Sequence, residues 1–190
     1  DPTRLWYGLQ LQLLLYLQAA CEGLDGNPAG AFYFTIKDPM VDTADVKEAA
    51  EKAIAKKLHL KGIVLADVDV VEALDSEPGY SFTKIFNADS SVASSSDGYT
   101  PEEMAALLAH AKKMAAELAD RIRSGEITPS PAVISDWNAC QWCDCAGVCK
   151  LDTSIPGHEK RELPPLKKQD LLTLMANDTD APGNEEDTSP

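Results

Sequence analysis

Four of the chain's five cysteines, Cys140, Cys143, Cys145 and Cys149, fall within the ten residues "CQWCDCAGVC". Thiolates at Cys140 and Cys143 can serve one metal centre, because a C-x-x-C spacing turns both sulfurs to the same side of a tight turn. Cys149, six residues on, closes a third corner. Tetrahedral Zn²⁺ and an iron–sulfur cube both take sulfur ligands from so short a loop, and spacing alone does not choose between them. Cys145 makes a C-x-C with Cys143 and offers a fourth sulfur, but the short spacer makes that geometry tight. His158 offers a nitrogen for a Cys₃His zinc site; read alone, it is a solvated surface histidine, as are His59 and His110. The plainer alternatives are a small zinc-stabilised turn or four reduced thiols. Clustered cysteines without secretory context favour a metal over a disulfide framework.

A second constellation lies near the start, in "YGLQLQLLLYL" (Tyr7 to Leu17). Six leucines leave almost no polar face, yet Gln12 and Tyr16 stand four residues apart and stack on one side of a helix. Polar groups so placed either form a hydrogen-bonded pair inside a core or face a site.

The elements that must hold these residues follow from pattern. Arg4 to Cys21 reads as one buried helix, closed by "EGLDGNPAG". "AFYFTIK" (Ala31–Lys37) reads as a central, buried strand, and Asp42–Leu58 as an amphipathic helix. A short extended piece is expected at Ile63–Leu65, then an N-cap at Asp67 and a short helix through Leu74. "SFTKIF" alternates like an edge strand, and "NADSSVASSSDG" reads as a polar hairpin or loop. The clearest element begins at Thr100: Pro101 takes the first helical position, Glu103 completes a capping box, and Gly125 stops the helix. From Ile127 the chain is expected to be irregular through the cysteines. Beyond Lys150 it reads as peripheral, with one helical turn at "DLLTLM" and a disordered last dozen residues.

Composition sets the outer limits. A chain of 190 residues suffices for a proper core, and 44% hydrophobic with 25% charged residues is the balance of a globular protein. The apolar run Leu11–Leu17 is too short to span a membrane, so no membrane partner is expected. The opening "DPTRLWYG" lacks a basic, apolar leader and reads as the interior of a longer protein. A net charge of −14 argues against the exposed surface wrapping nucleic acid, which needs Lys and Arg to replace counterions. Five of those acids and no base belong to the tail "NDTDAPGNEEDTSP", which weakens that argument for the rest of the chain. Lys160, Arg161, Lys167 and Lys168 form the only basic stretch, a solvated segment or a docking surface for a protein.

Taken in order, "YGLQLQLLLYL", "PAGAFYFTIKDP", the long capped helix ending "SGEITPSP" and C-x-x-C-x5-C resemble a known family. The similarity is to the C-terminal region of the B subunits of AddAB-type ATP-dependent helicase–nucleases, in the RecB-like branch of the PD-(D/E)xK nucleases. It covers Leu5 to about Leu151. The resemblance implies an α/β (α+β) fold in which helices pack on a small mixed sheet, the chain forming the second half of the nuclease domain. Residues 1–126 would be that half, 127–151 a cysteine-rich iron–sulfur segment, and 152–190 a peripheral extension. It implies that Gln12 and Tyr16 are the Q-x-x-x-Y pair facing the active site and DNA. Cys140, Cys143 and Cys149 would be the last three ligands of a 4Fe–4S cluster whose first cysteine lies upstream, a staple that this chain alone holds incompletely or not at all. Trp137 and Trp142 would be lids over that cluster.

Also implied are Mg²⁺, DNA ends and single strands as substrate, an A subunit as heterodimer partner, a bacterial cytoplasmic setting, and a role in recombinational repair of double-strand breaks. The sequence departs from the family pattern in two places. The Asp, (D/E) and Lys of the catalytic strands are absent ahead of Gln12, so the chain alone is expected to be inactive. Cys145 exceeds the family spacing; it is an idle thiol or a substitute ligand. Two alternatives remain: a non-enzymatic, metal-stabilised interaction module, and a compact CRISPR-associated nuclease with the same helix motif, which residues 31–97 are too long to suit.

Overall fold

The leucine-rich opening is two helices, not one. In the computed structural model, which describes residues 1–36, 47–75 and 81–179, α1 spans Pro2–Trp6 and α2 spans Gln12–Leu24. The break is at Gly8, whose φ of +73° is the left-handed conformation that ends helices. A Cβ at Gly8 would lie 2.8 Å from Met114 Cγ, so this position needs glycine twice over. The leucine periodicity runs through the break, which is why sequence pattern alone reads a single helix. Nor is α2 buried all round: Leu14 is its one buried side chain.

The described residues divide into two compact units, Gln12–Ala109, and Asp1–Leu11 together with His110 onward. In the first unit α2 is followed by β1 (Gly30–Tyr33), α3 (Lys47–Leu58), β2 (Lys61–Leu65), α4 (Val68–Leu74) and β3 (Gly98–Tyr99). The sheet order is β1-β2-β3. β1 pairs antiparallel to β2, from Gly30 opposite Val64 to Tyr33 opposite Lys61, and β3 pairs parallel to β2 through Gly98 and Tyr99.

The central strand is therefore β2. β1, expected to be central and buried, lies at the edge of the described sheet and leaves Tyr33 exposed. A Cβ at Gly62 would fall 2.0 Å from the Ala31 carbonyl oxygen, so only glycine lets β1 approach so closely. The core gathers Val64, Val71, Phe82 and Ile85, with Phe32 partly buried against it. The Phe32 and Phe82 rings stack at 5.4 Å.

Phe82 and Ile85 are core residues without being strand residues. The edge strand expected at "SFTKIF" reduces to one antiparallel bridge, Phe86 with Val92. The polar loop between them closes as a hairpin, with Asn87 N–H donating to the Ser91 carbonyl at 2.8 Å. Asp67 caps α4 as expected, its carboxylate accepting from the Asp69 and Val70 amides. α5 (Pro101–Arg123) has its capping box: Thr100 N–H donates to Glu103 Oε2 at 2.9 Å, and Glu103 N–H to Thr100 Oγ1 at 3.3 Å. Gly125, at φ +78°, follows its end. Two expectations, the start of the Asp42–Leu58 helix and the disorder of the last residues, fall at 42–46 and 180–190, outside the described residues.

The second unit takes α5 from His110, then β4 (Ala132–Ile134), β5 (Trp137–Asn138), a 3₁₀ turn (Ala139–Trp142), α6 (Ala146–Cys149), β6 (Arg161–Glu162) and α7 (Lys168–Thr179). The segment expected to be irregular from Ile127 thus contains a sheet of order β5-β4-β6, with β4 parallel to β6 and antiparallel to β5. The strands are two or three residues long, too short for an alternation to show.

The expected single turn at "DLLTLM" is a twelve-residue helix, and Leu171 and Met175 are buried in its face. It packs on α1, and the Leu166 N–H just before it donates to Thr3 Oγ1 at 2.8 Å. This element is core, not periphery. His110 is not a surface histidine: it is buried, stacks on Trp6 at 4.8 Å, and its Nε2 lies 3.2 Å from the Trp6 carbonyl oxygen. The α/β class expected from the sequence is the class observed. No helix of the described residues is long and apolar enough to cross a membrane.

Candidate functional site

Gln12 is the first residue of α2, and Tyr16 stands one turn later on the same face. Gln12 Nε2 donates to the Tyr16 hydroxyl oxygen at 2.8 Å. Neither side chain is in a core: Gln12 is exposed and Tyr16 is 64% exposed, while Leu14 on the other side is 2% exposed. The helix packs on β1, so buried leucine and half-buried neighbours fix it, and the polar pair faces outward. With its oxygen accepting from Gln12, the tyrosine hydroxyl is left to donate its own proton outward.

The surrounding turn has the same polarity. The first backbone N–H groups of a helix lack intrahelical partners and carry the positive end of its dipole. The first turn of α2 contains no acidic residue. By contrast α4, α5 and α7 open with Asp69, with Glu102 and Glu103, and with Asp170. In a chain of net charge −14, the first turn of α2 carries no carboxylate of its own. Such a turn suits an anion, above all a phosphate oxygen. It holds no group that could activate water.

The cysteines are arranged differently. Asn138 caps the 3₁₀ turn by accepting from Cys140 N–H at 2.9 Å, and Cys143 N–H points to the Cys140 carbonyl at 3.4 Å. Cys145 then caps α6, and Cys149 N–H donates back to the Cys145 carbonyl at 2.8 Å. The backbone therefore pairs Cys140 with Cys143 and Cys145 with Cys149, on two successive turns. The sequence grouped Cys140, Cys143 and Cys149; the four-residue interval between Cys145 and Cys149 was the signal for the second pair.

All four thiols are exposed and reduced. Among the described residues no three His, Cys, Asp or Glu side chains converge on a point where a metal ion would sit. No step assigned to this chain runs through a 4Fe–4S cluster or a Mg²⁺ ion. Trp142, expected as a lid, is 83% exposed and shields nothing here, whereas Trp137 lies under the Arg4 guanidinium at 4.9 Å. His158 is half-buried near Asp152, and Lys160, Arg161 and Lys167 are exposed.

Residues 1–150 match the family model of the PD-(D/E)XK nuclease superfamily. The chain belongs to that superfamily. Within it, the chain is similar to proteins named as the B subunits of ATP-dependent helicase/deoxyribonucleases. It is 33% identical over 184 residues to the one from Alkaliphilus metalliredigens, covering 92% of this chain and 16% of the relative. Identity is 32% over 192 residues with that of a Thermoanaerobacter species, covering 96% and 17%. With that of Moorella thermoacetica it is 37% over 174 residues, covering 86% and 15%. The chain thus spans about a sixth of the length of these relatives, and the superfamily match takes in both the Gln12–Tyr16 pair and the four cysteines.

Proposed function

We propose that the chain is part of the DNA-cutting region of an ATP-dependent helicase–deoxyribonuclease, in which Gln12 and Tyr16 hold a backbone phosphate of the DNA. One observation carries this reading: the exposed, hydrogen-bonded pair at an acid-free helix start, in a chain of the PD-(D/E)XK nuclease superfamily. Both side chains offer hydrogen-bond donors to a phosphate oxygen, so both act by positioning. Positioning suffices to matter, because a misplaced phosphate alone can slow cleavage about 10²-fold.

The names of the relatives support DNA as the substrate and an assembly of subunits; the A subunit as heterodimer partner and a bacterial cytoplasmic setting follow from the sequence resemblance alone. In that longer protein, Mg²⁺ would activate water and offset charge on the scissile phosphate, held by carboxylates other than those described. Residues 1–126 would serve the nuclease region, 127–151 the iron–sulfur segment with Cys140, Cys143 and Cys149, and 152–190 an extension. The 190-residue chain alone is expected to be inert.

The test is Mg²⁺-dependent cleavage of linear duplex and single-stranded DNA by the full-length protein with its partner. Gln12→Ala should cut about 10²-fold more slowly with an unchanged melting temperature. A Gln12→Ala enzyme that cuts like the wild type would contradict the assignment. So would cleavage by the isolated chain that an acidic substitution within it abolishes.

A further inference from the structure

Between α4 and the segment Phe82–Asn87 lies a cavity of about 140 Å³, inside one compact unit, and neither Gln12 nor Tyr16 lines it. Phe82 and Phe86 form part of its wall; Phe82 is 2% exposed and belongs to the core, and Phe86 is half-buried against that core. Val68, on the same lining, is 54% exposed, so the cavity reaches solvent. Size narrows the occupant. Cofactors and drug-sized molecules need roughly 300–1,000 Å³, whereas about 150 Å³ takes up one benzene-sized group. A single side chain fits; a nucleotide does not.

Charge narrows it further. The charged groups on the lining are Glu72, Asp75 and Lys84. Asp75 is buried and accepts from the Ser81 N–H at 3.1 Å, while Glu72 is exposed. The stretch Asp67–Asp97 holds seven acidic residues and one basic one, Lys84, a balance that repels a phosphate and attracts a cation. Among cationic side chains, arginine packs its stem on apolar surface, stacks its plane on an aromatic ring, and meets a carboxylate with two parallel N–H donors. We propose that this cavity is a docking slot for one arginine side chain on a basic segment of a partner protein. The stem lies against Val68, Phe82 and Phe86, and the guanidinium meets Glu72. The slot is independent of the phosphate-holding role of Gln12 and Tyr16.

The test follows the backbone amide resonances of the full ¹⁵N-labelled chain during titration with the capped peptide acetyl-Gly-Arg-Gly-amide. Saturable shifts are expected at Val68, Phe82 and Phe86, and the same peptide with neutral citrulline for arginine should produce none. Glu72→Gln should weaken binding about fivefold, and Lys84→Ala, which removes a competing cation, should tighten it about twofold. Asp89→Asn deletes an acid of the same stretch that does not line the cavity, and should change little. All three positions are exposed, and each variant's spectrum reports directly that it is folded. Equal losses in Glu72→Gln and Asp89→Asn would reduce the effect to general charge and overturn the proposal. So would unsaturable shifts scattered over the acidic surface, or equal binding of the citrulline peptide. If single-stranded oligothymidylate shifted the lining amides and the arginine peptide did not, the cavity would be a nucleic-acid site and the proposal would fail.

Discussion

The first turn of α2 and the cysteine segment both present polar chemistry to solvent, but only one of them is fixed by an apolar anchor. Gln12 and Tyr16 sit on a thirteen-residue helix anchored by Leu14, and their mutual hydrogen bond is already made. The cysteines sit on turns of four residues each, without a buried side chain in either. A helix with an apolar side can fix two side chains before any ligand arrives. A short surface turn fixes neighbouring backbone groups but leaves its side chains without an apolar anchor. Positioning chemistry suits the first arrangement.

The sharpest way to break this contrast is to remove the anchor. Leu14→Ala deletes a side chain that is 2% exposed and should cost about 2–5 kcal/mol, read as a lower denaturation midpoint. A cost near zero would mean that α2 is held by something other than its leucine side.

Ionisation of a core group in the same unit gives the next effect. Burial, with Asp97 and Glu103 nearby, pushes the Tyr99 phenol up to about 12. The folded state therefore holds this proton more tightly than the unfolded state, whose tyrosine titrates near 10.0. The resulting stability is fully present below pH 10 and is lost as the pH rises through 12. It amounts to about 2–3 kcal/mol, measured as denaturation midpoints across that window. Tyr99→Phe should flatten that part of the profile; an unchanged slope would show that another group is responsible.

The smallest effect should come from the cysteine segment. Cys149→Ser in the metal-free chain replaces one exposed atom and should shift stability by less than about 0.5 kcal/mol. A loss of several kcal/mol would show that the thiols already hold the fold together without metal.

What could be read in the sequence tracks where the controlling physics is local. The Thr100–Glu103 box, the Asp67 cap and the strand around Ile63–Leu65 depend on neighbours within a few residues, and each stands where the sequence placed it. The break at Gly8 depends on Met114, more than a hundred residues away, so the leucine pattern conceals it. The order of the sheet is likewise non-local: β1 is apolar enough for a central strand but lies at its edge. α7 was underrated because Leu171 and Met175 gain their burial from the same unit that includes α1, at the far end of the chain. At the candidate site, the Gln12–Tyr16 spacing was legible because helix period alone brings the two together. The pairing of Cys145 with Cys149 was obscured because α6 is four residues long and carries no periodic signal.

The most direct measurement for the account is the rate of duplex-end cleavage by the full-length protein carrying Tyr16→Ala, corrected for the folded fraction, beside Tyr16→Phe. The hydroxyl is placed as the outward donor, so both variants should lose about 10²-fold in rate with melting temperatures close to the wild type. If Tyr16→Phe cut normally, or if Tyr16→Ala unfolded the protein while its folded fraction cut at the wild-type rate, the pair would be structural and the central claim would fail.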